Sequence, residues 1–210
     1  NMQVVMNNSL VYYGNQTEIT GDVALSAMGI VMKIAMILAS VCIGFGIGAQ
    51  PILGFNLGAK KYARVRHTYL LAVSIATGSI LIGWAVCQLA PHLVLSLFGK
   101  ENQTFTDFAV RCLRIYLGGI FCAGFQIVST NYFQATGQPL KASLLSMLRQ
   151  LILLIPLLLI LPLFFGLNGL LYAGPCADIG SAVIVALFIL PEMRKLNRRI
   201  AESQGPALAA

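Results

Sequence analysis

The sequence predicts an all-α fold, a polytopic bundle of membrane helices, and three observations carry that prediction. Hydrophobic residues make up 58% of the 210 residues and charged residues only 10%, with a mean hydropathy of +0.81. That leaves too little polar surface to cover a water-soluble globule of this size. Five stretches reach the roughly 20 apolar residues that a bilayer crossing requires. The segments between them alternate between acidic or neutral (14–22, 91–107, 166–169) and basic (60–67, 137–149, 194–199), in step with five crossings. The positive-inside preference then places every basic segment, and the C-terminus, on the cytoplasmic side. It also accounts for the net charge of +7 without a nucleic-acid partner.

Asn1–Tyr13 is uncharged but too short to span, and it has neither the basic start nor the small-residue cleavage site of a signal peptide. It reads as the back half of a truncated helix. Gly14–Asp22 is a short acidic loop holding Glu18 and Asp22. Residues 23–46 form the first complete span, with Lys33 near its middle. Its continuation, GFGIGAQPILGFNLGAKKYARVR (44–66), predicts close helix packing at Gly44, Gly46 and Gly48 and a break at Pro51. A basic loop with Lys60, Lys61, Arg64 and Arg66 follows.

Residues 68–90 are the second span. Pro91 and Gly99 bracket an outer loop with Lys100, Glu101 and Asp107, and Arg111 and Arg114 lead into the third span, 115–133. A loop on Gly137 and Pro139 precedes the fourth span, 148–165. It starts with Arg149 and contains Pro156 and Pro162, tolerated where neighbouring groups satisfy the freed carbonyls. A tight turn from Gly166 to Gly169 leads into the fifth span, 167–190. Residues 1–193 thus form one membrane domain, and 194–210 a cytoplasmic basic tail with Arg194, Lys195, Arg198 and Arg199.

Polar residues inside these spans are the candidate functional groups. Asp178 lies near the middle of the last span, where an ionised carboxylate costs several kcal/mol unless it is paired or hydrated. Its alternatives are a transport role and a structural ion pair, and Lys33, the sole mid-span cation, is the natural candidate partner. Gln126, Asn131, Asn7 and Asn8 either line a polar path or hydrogen-bond between helices. Gly44, Gly46 and Gly48 do not form a nucleotide loop, because Pro51 stands where a third glycine would be required. The five cysteines lack CxxC spacing and read as buried thiols, with no metal site. Asn15-Gln-Thr17 and Asn102-Gln-Thr104 match the glycosylation sequon in loops placed outside. Neither HExxH nor GxSxG occurs, no span holds a pair of acids, and both histidines, His67 and His92, sit at loop edges, so no enzymatic role is expected.

The run Gln50-Pro51-Ile-Leu-Gly54-Phe-Asn56-Leu-Gly58-Ala59-Lys60-Lys61-Tyr62-Ala-Arg64-Val65 resembles a motif of the multidrug and toxic compound extrusion (MATE) transporters. Tyr132-Phe-Gln-Ala-Thr-Gly137, Arg149-Gln150 with Pro156 and Pro162, and Gly166-Leu-Asn-Gly169 followed by Pro175-Cys-Ala-Asp178 resemble later family segments in the same order. The resemblance covers nearly the whole chain. It implies the C-terminal half, helices seven to twelve, of a protein with two six-helix lobes around a central cavity. It also implies structural roles for Pro51, Gly54, Asn56, Gly58, Ala59, Arg64, Arg149 and Pro175.

Such transporters export small organic cations by alternating access, driven by Na⁺ or H⁺, with no other cofactor. The implied partners are the bilayer, the missing N-terminal lobe and the exported cations, in a plasma or bacterial inner membrane. Some members carry acids on helices seven and ten, yet 1–13 and 115–133 hold none. Coupling thus falls either to Asp178, with Lys33 and the amides as further polar contributors, or to the other lobe. This half is expected not to transport by itself. The alternatives are a lipid-linked precursor flippase of the same superfamily, which would need a strongly cationic cavity, and a non-transporting membrane scaffold, against which Asp178 argues.

Overall fold

The computed structural model describes residues 2–15, 21–98 and 103–204. Glu18, Lys100, Glu101, Asn102 and residues 205–210 of the expected tail lie outside them, as do the side chain of Gln150 and part of each sequon. In chain order the elements are α1 (Met2–Gly14), α2 (Gly21–Gly58), α3 (Tyr62–Leu89), α4 (Pro91–Ser96) and α5 (Gln103–Tyr116). A 3-10 segment (Leu117–Cys122) joins α5 to α6 (Ala123–Ala135). Then come α7 (Pro139–Met147), a π-helical segment (Leu148–Leu154), α8 (Ile155–Phe165) and α9 (Leu167–Gln204).

Among the described residues five helical rods are long and apolar enough to cross a bilayer: Gly21–Gly58, Tyr62–Leu89, Gln103–Ala135, Pro139–Phe165 and Leu167–Ser203. The third occupies the middle of the bundle, since 61% of its most apolar stretch is buried, against 18–39% in the other four. Two 38-residue helices, α2 and α9, flank it. At 1.5 Å per residue each is about 57 Å long, well beyond a hydrocarbon core of about 30 Å, so both project past the membrane. Large exposed side chains such as Phe55, Ile82, Leu163, Phe164 and Leu187 clothe the outside, an apolar surface suited to lipid.

The helices run further than the expected spans, and each extension has a local cause. Pro51 does not break α2, which continues to Gly58. A proline removes a single intrahelical donor, and the surrounding turns keep theirs. The turn falls instead at Lys60, whose φ of 57° is left-handed. The Lys61 N–H reaches back to the Asn56 carbonyl (2.9 Å) and the Lys60 N–H to that of Leu57 (3.0 Å), a Schellman closure. The basic loop shrinks to three residues, and Arg64 and Arg66 already belong to α3.

Gly137 (φ 74°) closes α6 the same way, with the Gln138 N–H on the Phe133 carbonyl at 2.9 Å. Asp107, Arg111 and Arg114, expected in or beside a loop, are in α5. They occupy its exposed side, while Phe105, Phe108, Ala109, Cys112, Leu113 and Tyr116 are buried on the other, a 3.6-residue pattern. Gly166 alone makes the turn before α9, at φ 58° and ψ −137°, a conformation essentially restricted to glycine. Gly169 is already helical. The segment expected as a tail is helical through Gln204.

Cys42, Cys87 and Cys112 are buried and Cys122 half-buried, but Cys176 is exposed on α9, contrary to the expectation of five buried thiols. Inside the bundle Tyr69 and Ser129 share a buried hydrogen bond of 2.7 Å that ties α3 to α6.

Candidate functional site

The site begins at a defect in the fourth rod. Pro156 has no N–H, so an α-helical pattern would leave the carbonyl four residues back unpaired. The chain winds as a π-helix over Leu148–Leu154, directly before that proline. Such bulges shift side-chain register. Arg149 sits in the first turn of this segment, and its Nε donates to Oδ1 of Asp178 at 2.6 Å.

The other side of the pair is set by close packing of α9 on the 3-10 segment. A Cβ on Gly119 would stand 2.7 Å from the Pro175 Cα and 3.0 Å from the Asp178 Cβ. Only a residue without a side chain allows that approach. Asp178 therefore lies almost fully enclosed, its side chain 5% exposed, whereas that of Arg149 is 34% exposed. The carboxylate is held behind, and the guanidinium stands between it and open space.

That space is a cleft of about 380 Å³ between α2 and α6, lined among others by Ala39, Ile43, Gln126, Thr130, Asn131 and Arg149. A second cavity of about 160 Å³, with Met32, Met36 and Tyr116 in its wall, also includes Arg149. A third, of about 180 Å³, shares Thr130 and Ser146 with the cleft and adds Gln134 and Ser143. Along α6 the residues 126, 130 and 134 recur every fourth position, so one helical face supplies a polar stripe.

The amides are themselves tied down. Gln126 is buried and its Oε1 accepts from the Ser181 hydroxyl at 3.0 Å. The same hydroxyl is also 3.0 Å from the Asp178 carbonyl. Asn131 Oδ1 accepts from Gln50 Nε2, which also reaches Gln134 Oε1 at 3.2 Å. Gly46 on α2 lies against the Asn131 side chain, so at least this glycine serves close packing, while Gly44 and Gly48 face open space. Two polar clusters thus lie along α6, Gln50 with Asn131 and Gln134 toward one end, and Gln126 with Ser181, Asp178 and Arg149 toward the other.

Of the sequence candidates, the fold brings Asp178, Gln126 and Asn131 together here. Lys33 is not the partner of Asp178. It is exposed on α2 and makes no ion pair among the described residues, whereas the π segment carrying Arg149 packs directly on α9. Asn7 and Asn8 are exposed on α1 and do not line the cleft. Of the motif residues, Asn56 is buried and caps its own helix onto the Ile52 carbonyl at 2.8 Å. Gly54 lies 3.7 Å from the Ala135 carbonyl by its absent Cβ, Gly58 faces open space, and Ala59 and Arg64 are exposed. Sequence reasoning missed Gln50, Thr130 and Ser181, although Ser181 follows Asp178 at i+3. Among the described residues no three His, Cys, Asp or Glu side chains gather as a metal site.

The fold and site define a bundle of helices long and apolar enough to cross a membrane, with a polar cleft that leads to a buried ion pair. The MatE family model matches residues 2–160, and the chain belongs to that family. Over 195 residues it is 26% identical to "Multidrug export protein MepA" of Staphylococcus haemolyticus (strain JCSC1435), covering 91% of this chain and 40% of that protein. It is equally similar, over 190 residues, to MepA of Staphylococcus aureus (strain N315), covering 89% and 39%.

Among solved structures it resembles the MATE multidrug transporter DinF-BH. There the TM-score is 0.72 at 35% identity, over 80% of this chain and 37% of that one. It also matches the outward-facing and inward-facing conformations of a multidrug resistance MATE family transporter of the MOP superfamily. Both give a TM-score of 0.83 at 18% identity, over 94% of this chain and 43% and 44% of theirs. The chain spans about two-fifths of the length of these relatives.

Proposed function

We propose that the chain is one lobe of a cation-driven antiporter that exports small organic cations by alternating access, with no covalent chemistry. The Arg149–Asp178 pair at the back of the cleft carries this reading. With Asp178 ionised the pair is neutral, and the cleft presents amides, hydroxyls and aliphatic side chains to an incoming cation. A proton or Na⁺ that takes the Asp178 carboxylate leaves the Arg149 charge uncompensated beside that cation. In a poorly screened site like charges repel strongly, and the cation is expelled. The coupling ion and the substrate thus exclude one another, which is what antiport requires.

Each ligand has to favour a different state of the bundle, and a second lobe closing the cleft supplies those states. Similarity to outward- and inward-facing structures at the same TM-score supports a lobe that keeps its fold while it rocks. The basic ends at Lys60, Lys61, Lys141, Arg194, Lys195, Arg198 and Arg199 support a cytoplasmic C-terminus.

The test is gradient-dependent efflux of ethidium from vesicles holding the protein of which this lobe is part. Wild type should export under an imposed H⁺ or Na⁺ gradient. Asp178→Asn should remain folded and lose gradient-driven export, since its permanently unpaired Arg149 charge disfavours the cation in every state. Gradient-coupled export by Asp178→Asn at the wild-type rate would refute the assignment and move coupling to the other lobe.

A further inference from the structure

The structure holds a fourth cavity, further along α6 than the cleft, at the end of the bundle where α2, α6 and α9 terminate and α3 and α7 begin. It measures about 260 Å³, just under the roughly 300–1,000 Å³ of drug-sized sites. We propose that it binds the phosphate group of an acidic phospholipid. The inference is independent of the transport reading, needing only a lobe embedded in a bilayer.

Charge selects the ligand. Lys195 and Arg199 line the cavity, and Lys141 stands beside it on Glu192 at 3.2 Å. Three cations face one carboxylate, an excess of two positive charges. Glu192, only 12% exposed, gathers Lys141, Lys195 and the Gln138 amide around itself, so it organises the cations. Lys195 is 68% exposed and lies 3.4 Å from Glu192, a surface pair weak enough to yield to a phosphate. Arg199 stacks over the Tyr62 ring at 5.4 Å. Stacking on its face leaves the guanidinium N–H edge free, and among the described residues that edge has no acceptor.

A second observation points the same way. Tyr132 lines the cavity and is 3% exposed, yet its hydroxyl makes no hydrogen bond among the described residues. The hydroxyl is not sealed in the core but opens toward the cavity, where a phosphate oxygen supplies the partner that a phenol normally finds. A lipid suits the surroundings better than free phosphate. Leu57 and Leu196 form an apolar wall, and Phe55 and Leu140, 74% and 85% exposed, stand nearby in sequence on the lipid-facing surface. A headgroup held here keeps its chains in the bilayer.

Native mass spectrometry of the detergent-purified protein with an equimolar mixture of phosphatidylglycerol and phosphatidylcholine tests the proposal. Each basic residue near an anionic lipid is worth about fivefold in binding, so Lys195→Ala with Arg199→Ala should lower phosphatidylglycerol retention about 25-fold. Arg194→Ala with Arg198→Ala removes the same charge from α9 outside the cavity and should change it less than about twofold. Tyr132→Phe should weaken retention without altering thermal unfolding. Equal retention of the two lipids overturns the proposal, as does an equal loss in both double variants, which marks diffuse surface charge. Displacement of phosphatidylglycerol by millimolar inorganic phosphate overturns the lipid assignment in favour of a free-phosphate site.

Discussion

Removing either member of the Arg149–Asp178 pair should destabilise the lobe, but by unequal amounts, and the inequality follows from exposure. Breaking a buried ion pair costs about 3–5 kcal/mol because the remaining charge stays in a medium of low dielectric. In Arg149→Gln the survivor is the Asp178 carboxylate, 5% exposed and held against the 3-10 segment. It cannot reach water, so the cost falls in that range. In Asp178→Asn the survivor is Arg149, 34% exposed and bordering the cleft. Its long side chain can turn outward and be hydrated, which lowers the cost to about 1–3 kcal/mol.

A difference of about 2 kcal/mol shifts the midpoint of a domain this size by roughly 4–8 °C. Thermal unfolding of the detergent-solubilised variants should rank them wild type, then Asp178→Asn, then Arg149→Gln. The double variant should recover part of the Arg149→Gln loss, because an apolar or neutral pair avoids the unpaired charge. Equal losses in the two single variants, or strictly additive losses in the double, would refute the claim that Arg149 alone compensates Asp178.

Three further outcomes follow from local geometry. Gly119→Ala should cost about 1–3 kcal/mol by overpacking against Pro175, whereas Gly118→Ala, whose Cβ would sit 3.9 Å from the nearest atom, should be close to neutral; thermal unfolding of the two compares them directly. Lys60→Gly relieves a left-handed φ of 57° and should stabilise by about 1 kcal/mol in the same assay, reduced somewhat by unfolded-state entropy. Lys33→Gln, with no ion-pair partner to lose among the described residues, should leave the midpoint within about 0.5 kcal/mol; a loss like that of Arg149→Gln would show a pairing that the structure does not contain.

The site was legible in its residue types and illegible in its pairing. Asp178 stands out in the sequence because a carboxylate among apolar residues needs compensation whatever its neighbours are. The choice of Lys33 as partner followed from its mid-span position. It failed because Arg149 counts as an end-of-span residue only if the fourth helix winds regularly, whereas a π segment before Pro156 brings it onto α9. Gln50 was hidden inside a motif otherwise read for its glycines and proline. Its role depends on Asn131 and Gln134, more than eighty residues away.

Hydropathy alone determined that this is a helical membrane-type bundle with five stretches long and apolar enough to cross, the number found among the described residues, because a bilayer demands apolar length and internally satisfied backbone whatever the neighbours are. Helix ends were less accessible. A proline at 51 reads as a break, yet the surrounding hydrogen bonds carry α2 on to Gly58. Charges at 107, 111 and 114 read as loop until one sees that a single face of α5 is buried. Only the tertiary structure decided which polar groups meet. Side-chain pairing depends on register and on the distance between helices, and both were set here by the π turn before Pro156 and by the missing Cβ of Gly119.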